Sequence, residues 1–432
     1  MRWAWAAGVF LLSVVLRVWA ANGLELLSDE AYYWTWSQEL AAGYFDHPPG
    51  VAWSIAAGTA VFGHSAWAVR LPGILLHSFA LAALVVHLGP RRPLLLLLLT
   101  PGILLVPILA TPDAGYLSFG LLALIAHERG FSLGAGALAG LALLFKLPAL
   151  ALLLAFLLAR RESWRDWAAP ALALSISSPM WVWNAENDWI NLGFQAEHGL
   201  GGGSGPLDGL GFIAGQLLWL GPIAGVAGFV WLVRPQTRNV WWWAALLPGV
   251  FFAAASFRSH AELNWGLPVW TFALGGLAAA QGRMGRAVEI GGILGGFLSL
   301  GALLHLCVSP LWSLDNDPRH RFREGPILGQ SVQAWGVEPV MTSRYQEAAL
   351  IRFYGGISAI TVPNTGRRDQ FDLWREPHLP THTLFVRPAR RSTQLATDGL
   401  PYQRGQTGAV HLMDGADRVW SWQVHELYME AP

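Results

Sequence analysis

Two adjacent carboxylates, Asp29 and Glu30, stand in the run Ser28-Asp29-Glu30-Ala31-Tyr32-Tyr33-Trp34, directly after the first hydrophobic segment. The stretch continues to Gly43-Tyr44-Phe45-Asp46-His47-Pro48-Pro49. Acids close together in a partly dry site raise one another's pKa and can act as general bases. A plain connector between membrane helices needs neither two acids nor so many aromatic rings. A pocket that holds a polar ring and takes up a proton needs both. Asp113, in Thr111-Pro112-Asp113-Ala114, is a third acid, for which a catalytic role competes with helix capping.

Lys146 is the only lysine in the chain; every other cationic side chain that is always charged is an arginine. It lies in an apolar run, Leu143-Leu144-Phe145-Lys146-Leu147-Pro148, at the end of a hydrophobic stretch. A compact ammonium on a flexible stem suits a point contact with a phosphate, where arginine would present a broad fork. Snorkelling to the interface is the plain alternative, but it does not explain why arginine is absent here.

Further polar groups stand at neighbouring turns. They are Arg70 in Trp67-Ala68-Val69-Arg70-Leu71-Pro72, the loop carrying Arg258, His260, Glu262, Asn264 and Trp265, and Asn184 to Asp188 followed by Gln195 and His198. His47, His198 and His260 show no paired spacing of the zinc-binding kind, so a divalent metal is possible without being indicated.

These residues must be held by membrane elements. The chain is 53% hydrophobic and only 13% charged. A typical soluble domain carries about 25% charged residues. The 24 tryptophans suit anchoring at the headgroup level. Net charge is zero, which argues against nucleic acid as a partner. The single Cys307 excludes an internal disulfide.

About eleven stretches approach span length: 3–20, 67–88, 93–110, 114–127, 131–146, 147–159, 167–184, 211–233, 240–257, 264–281 and 287–308. The first reads as an uncleaved helix, because Arg17 and Trp19 fit a signal-peptide end poorly. Arg2, Arg91, Arg92, Arg129, Arg160, Arg161, Arg165, Arg234, Arg238, Arg283 and Arg286 then fall on one side, cytoplasmic by the positive-inside rule. Residues 51–66 must lie on the outer membrane surface, since counting them as a span would reverse every later loop. The candidate site residues thereby collect on the outer side. Residues 199–206, rich in glycine, read as a mobile loop that could act as a lid.

Beyond residue 309 apolar runs shorten and charges become frequent. Strand-like pieces at 338–341, 359–362, 382–386 and 409–413, with a helix-like stretch at 346–354, predict a small α/β domain over 310–432. The fold class expected is a polytopic all-α membrane domain, 1–309, followed by this extracytoplasmic domain.

At these residues the chain resembles the polyprenyl-phosphate-dependent GT-C glycosyltransferases, a superfamily that includes the protein O-mannosyltransferases and the aminoarabinose transferase of lipid A. The likeness rests on the Asp29–Trp34 and Gly43–Pro49 runs, Val69–Pro72, Thr111–Ala114, Gly140–Ala142 leading to Lys146, and Trp183-Asn184 with Asp188-Trp189. It continues through Phe194-Gln195, His198-Gly199 and Glu262–Trp265, and in the last domain through Asp317-Pro318, Tyr345, Phe353-Tyr354 and Arg368–Trp374. Members usually carry Lys-Tyr where this chain has Lys146-Leu147.

The resemblance implies a sugar donor on a polyprenyl monophosphate (undecaprenyl phosphate in a bacterium) and a lipid, envelope glycan or protein as acceptor. It also implies an inner-membrane enzyme with its N-terminus cytoplasmic and its last domain periplasmic. Asp29 maps onto the acidic residue at the catalytic centre, as the base, with Glu30 and Asp113 beside it. Lys146, Arg70, Arg258 and His260 are expected at the lipid phosphate. Tyr32, Tyr33, Asp46, His47, Asn184, Asp188, Gln195, His198, Glu262, Asn264, Trp265 and Tyr345 are expected at the sugar or acceptor. One direct displacement, needing no cofactor, would invert the anomeric carbon; a phosphate acceptor would need no base. The rival class is a secondary transporter or flippase, which would place its ionisable groups nearer the middle of the membrane.

Overall fold

The structure, a computed structural model, describes every residue except 160–162, 235–238, 312–316, 363–366, 375–378, 390–401, 415–416 and 430–432. Arg160, Arg161 and Arg238, three of the charges used for orientation, lie outside the described residues.

Helix α1 (Arg2–Gly23) leads through a short turn into α2 (Ser28–Ser37), the element that carries Asp29. Two acids in the first turn of α2 complement the positive end of its dipole. Glu30 also reaches back to accept a hydrogen bond from the Leu27 amide at 3.0 Å, which satisfies a free amide of the first turn. Next come α3 (Gly50–Phe62) and α4 (Ala66–Leu88), and α4 packs against α1 and α3.

About eleven spans were expected by length; the described helices are less regular than that. Three are long and apolar enough to cross a membrane: α1, α4 and Gly282–Cys307. Residues 93–110 form no single helix but three short pieces, Arg92–Leu97, Pro101–Leu104 and Val106–Ile108. Pro101 and Pro107 each remove an amide donor and crowd the preceding turn, so the helix breaks there. The carbonyls released by the break would be costly in an apolar interior. Arg17, fully buried in α1, satisfies two of them, donating to the Ile103 oxygen at 2.8 Å and the Leu104 oxygen at 3.2 Å.

The stretch 211–233 is also not straight. The helical run Pro206–Leu220 and the helix Pro222–Leu232 meet at 113°. Gly221 makes the corner with φ +80°, and a Cβ there would press on the Gly291 and Gly295 backbone of the neighbouring helix. Only glycine serves both needs. The remaining apolar helices, among them Ser132–Leu143 and Val240–Ser256, are shorter.

The last part of the chain builds a five-stranded sheet in the order β2-β1-β3-β5-β4. Here β1 is Val340–Thr342, β2 Ala359–Thr361, β3 His382–Pro388, β4 Tyr402–Asp414 and β5 Asp417–Met429. Strand β1 runs parallel to β2 and β3, whereas β3–β5 and β5–β4 are antiparallel. The four expected strand positions are occupied. The helix Arg319–Gln333, which buries Phe322, Leu328 and Val332, and the strand β5 were not expected.

The sheet region does not hang free of the membrane helices. One apolar cluster joins Tyr32, Tyr33 and Trp36 of α2 to Leu328, Val340, Ala348, Leu384 and Trp422. Tyr32 packs at 4.4 Å from the Tyr345 ring and 5.8 Å from Phe371, and its hydroxyl accepts the Gln370 amide at 2.6 Å. Aromatic pairs of this kind add about 0.5–1.5 kcal/mol each beyond their burial. The contact fixes α2, and so Asp29, from both sides.

Candidate active site

One cavity of about 130 Å³ gathers the polar residues. Its walls come from α2 (Asp29, Tyr32, Tyr33), the following loop (Asp46, His47), and the start of the helix Pro112–Glu128 (Thr111, Asp113). Lys146, Gln195 and His198, the Glu262–Trp265 turn, and Tyr345 with Arg367 of the last region complete it.

Asp29 lines this cavity, and its side chain stays accessible there. Loss of water around it pushes its pKa up, and the Glu262 carboxylate adds to the rise. Tyr345 opposes the shift by donating its hydroxyl to Asp29 Oδ1 at 3.0 Å, as do the positive charges of Arg367 and Arg321. The Tyr345 phenol is itself held well above its usual range by burial and by Asp29, so it stays a donor. A carboxylate with a raised pKa, one hydrogen bond and an open side has the properties of a general base.

Lys146 and Asp113 form an ion pair at 2.8 Å, and Asn264 donates to the other Asp113 oxygen at 3.2 Å. The cap of the helix Pro112–Glu128 is Thr111, so capping is not the task of the Asp113 carboxylate. Asp113 instead fixes the ammonium at the cavity wall. Lysine has three N–H donors, and two remain for an anion. His47 is pushed down to about 3, by burial first and then by the nearby Lys146 ammonium. It is therefore a neutral imidazole over the working pH range.

A second ion pair closes the other wall. Asp46 is buried and pairs with Arg367, whose guanidinium lies 4.4 Å from the centre of the Phe194 ring and 5.2 Å from that of Tyr345. Gln195 donates to the Asp46 carbonyl, and Asn191 donates to the carbonyls of Tyr44 and Phe45. The helix Ile190–Leu200 thus holds the Asp46-His47 loop by its backbone. His198 stacks on Phe194 and meets Trp265 edge-on at 5.3 Å.

Several expected residues lie elsewhere. Glu30 and Arg70 do not reach the cavity, because they hold each other. Arg70 Nε donates to Glu30 Oε1 at 2.8 Å and Arg70 Nη2 to Oε2 at 2.6 Å, with both side chains essentially inaccessible. The guanidinium also donates to the carbonyls of Ala21, Leu24 and Glu25, and Glu30 accepts the Ala110 amide at 2.9 Å. No donor is left on Arg70 for a lipid phosphate. Arg258 and His260 are exposed and do not line the cavity. Asn184 donates within its own helix to Met180, and Asp188 makes an exposed left-handed turn with Trp189; neither lines the cavity. The glycine-rich loop is tied to the 258–259 turn, through Ser204 to the Arg258 carbonyl and through Ser259 to the Gly199 carbonyl. Arg367 was not expected. An arginine in a polar loop has no signature in the sequence, although it directly precedes the Arg368–Trp374 run. Among the described residues no three metal-ligating side chains converge.

Residues 46–183 match the family model described as dolichyl-phosphate-mannose-protein mannosyltransferase. The chain is 31% identical over 255 residues to the lipid A galacturonosyltransferase RgtD of Rhizobium johnstonii, a match that covers 50% of this chain and 51% of that protein. It thus spans about half the length of this curated relative. In structure it is similar to ArnT from Cupriavidus metallidurans, solved both in the apo state and bound to undecaprenyl phosphate. Each comparison gives a TM-score of 0.61 at 16% identity and covers 98% of both chains. The fold is that of ArnT, and the resemblance to the polyprenyl-phosphate-dependent GT-C glycosyltransferases holds across sequence and structure.

Proposed function

We propose that this chain is a multi-pass membrane glycosyltransferase that moves a sugar from a polyprenyl-monophosphate donor to a lipid acceptor at the outer face. The observation that supports it best is the shared cavity. Asp29, the Lys146–Asp113 pair, Glu262, Asn264 and Tyr345 come from separate parts of the chain and face one space. Similarity to RgtD makes a lipid A-type glycolipid the first acceptor to try and a uronic acid the first sugar.

In this reading Asp29 takes the proton of the acceptor hydroxyl as its oxygen attacks the anomeric carbon. The bond from that carbon to the phosphate oxygen breaks, and the lipid phosphate departs as an anion. Lys146 meets the growing negative charge with the donors that Asp113 leaves free. Attack opposite the leaving group inverts the anomeric configuration. The test uses the purified chain in lipid with a panel of polyprenyl-phosphate sugars, following free polyprenyl phosphate and the anomeric form of the product. Absence of turnover with every such donor, alongside transport of one of them, would favour the transporter class instead.

Two further outcomes follow from the geometry. Lys146→Ala is expected to lower kcat/KM for the donor by about 10²-fold, as for loss of one fixed electrostatic donor. Pairing it with Asp113→Asn checks the cause. If the damage came only from a stranded carboxylate, the double variant would recover activity; a phosphate role for Lys146 leaves it low. Tyr345→Phe removes a hydrogen bond that favours the ionised Asp29, so the pKa of Asp29 rises further. Activity that needs the carboxylate is lost as pH falls through that pKa, so the acid limb of the pH–rate profile should move up by about one unit. A profile that stays in place would separate Tyr345 from the base.

A further inference from the structure

The end of α1 far from the site carries a second cavity, of about 670 Å³, lined by Arg2, Trp5, Leu88, Gly89, Pro90, Arg91 and Arg92. Helix α1 leads into α2 at its other end. At the rise of an α-helix its length is about 33 Å, so Arg2 stands a membrane's thickness away from Asp29. Helix α4 runs back along α1 and ends at Leu88, beside the Gly89 turn with φ +79°. The cavity therefore sits at the shared end of two of the three described helices long enough to span a membrane.

We infer that this cavity binds the headgroup of an anionic phospholipid carrying two phosphodiesters. Three arginines line it, and only Arg92 has an acid partner among the described residues, Glu289 at 3.5 Å. Orientation in the membrane requires positive charge on this side, but not that three arginines and an indole share one concavity. Their forked donors match phosphate oxygens in pairs. Net charge selects the ligand: three cations less one carboxylate leave room for two negative charges, more than a single phosphodiester supplies. The surroundings select a lipid over a soluble anion. Trp5 and Leu88 line the same space, and α1 and α4 expose Leu11, Val15, Phe79 and Val86 along their lengths for acyl chains. Basic pockets between membrane helices bind multiply charged headgroups in this way.

The test reads lipid retention by the full chain in nanodiscs of phosphatidylcholine doped with cardiolipin or with phosphatidylglycerol at equal charge, using native mass spectrometry. The wild type should retain cardiolipin preferentially. The double variant R2Q/R91Q should retain about tenfold less, while R286Q, which removes a basic residue outside the cavity, should behave as wild type. Equal loss in both variants, or none in R2Q/R91Q, overturns the assignment. Displacement by millimolar inorganic phosphate or pyrophosphate would make this a soluble-anion site and overturn the lipid. Should R2Q/R91Q not fold, the wild type decides: cardiolipin must raise its melting temperature above that in phosphatidylglycerol, and equal values overturn the proposal.

Discussion

Asp29→Asn is expected to lower the rate of polyprenyl phosphate release by between about 10² and 10⁴, the range for loss of a positioned general base. The amide keeps the shape of the carboxylate and can still accept the Tyr345 hydrogen bond, but it cannot take a proton. The variant should therefore fold, melt near the wild type and bind donor with little change, so that the loss falls on kcat. Among the described residues no hydrogen bond or ion pair of the Asp29 side chain is seen apart from the Tyr345 contact. If release of the lipid phosphate persists at the wild-type rate, either the base lies elsewhere or the acceptor is itself ionised, as a phosphate would be. Measuring the same variant against hydroxyl-bearing and phosphate-bearing acceptors separates those two outcomes.

Arg70→Met should instead cost the fold. Both members of the Arg70–Glu30 pair are buried. Breaking such a pair from one side typically costs about 3–5 kcal/mol, because the remaining charge is stranded. Here the cost includes three carbonyls, those of Ala21, Leu24 and Glu25, which lose the Arg70 donor. Glu30→Gln should be milder: its single amide oxygen still accepts from one side, at Ala110 or at Leu27, while the NH2 group can accept from neither and weakens the hold on Arg70. The measurement is the melting temperature and folded yield in detergent, followed by turnover per folded molecule. A large fall in stability with turnover per folded molecule retained is the expected pattern. Wild-type stability combined with a raised donor KM would return Arg70 to the phosphate.

That contrast shows how far the sequence could be read. Asp29 and Glu30 are adjacent, and no sequence rule says which of two neighbouring acids does chemistry. On a helix their side chains point about 100° apart; one meets the cavity and the other meets α4. The sequence carries no account of what α4 places opposite. Lys146 was legible because its residue type is singular, and Asp113 because Thr111-Pro112 marks a helix start beside it. Their pairing was not, since 33 positions separate them and only the packed fold brings them to 2.8 Å. Arg258 and His260 lie off the cavity for the opposite reason: basic residue types near an acidic motif read like ligands until their side chains are seen to be exposed. In the fold, hydropathy found the apolar stretches but could not show that Pro101, Pro107 and Gly221 divide or bend them. The strand β5 was missed because its alternation mixes Trp422 and Val424 with Gln423 and His425 under weak overall hydrophobicity, and its partners lie far away in sequence.

Tyr345, Arg367 and the Gln370 amide reach the cavity region from the last fifth of the chain, whereas Asp29 and Tyr32 emerge among its first residues. Synthesis therefore finishes the walls of this cavity last. While the ribosome still holds residues beyond 345, Asp29 lacks its hydroxyl partner, Asp46 lacks its arginine, and the acidic loop stands open to water. The cavity thus gains its complete set of side chains only once the final region has been made and packed against α2.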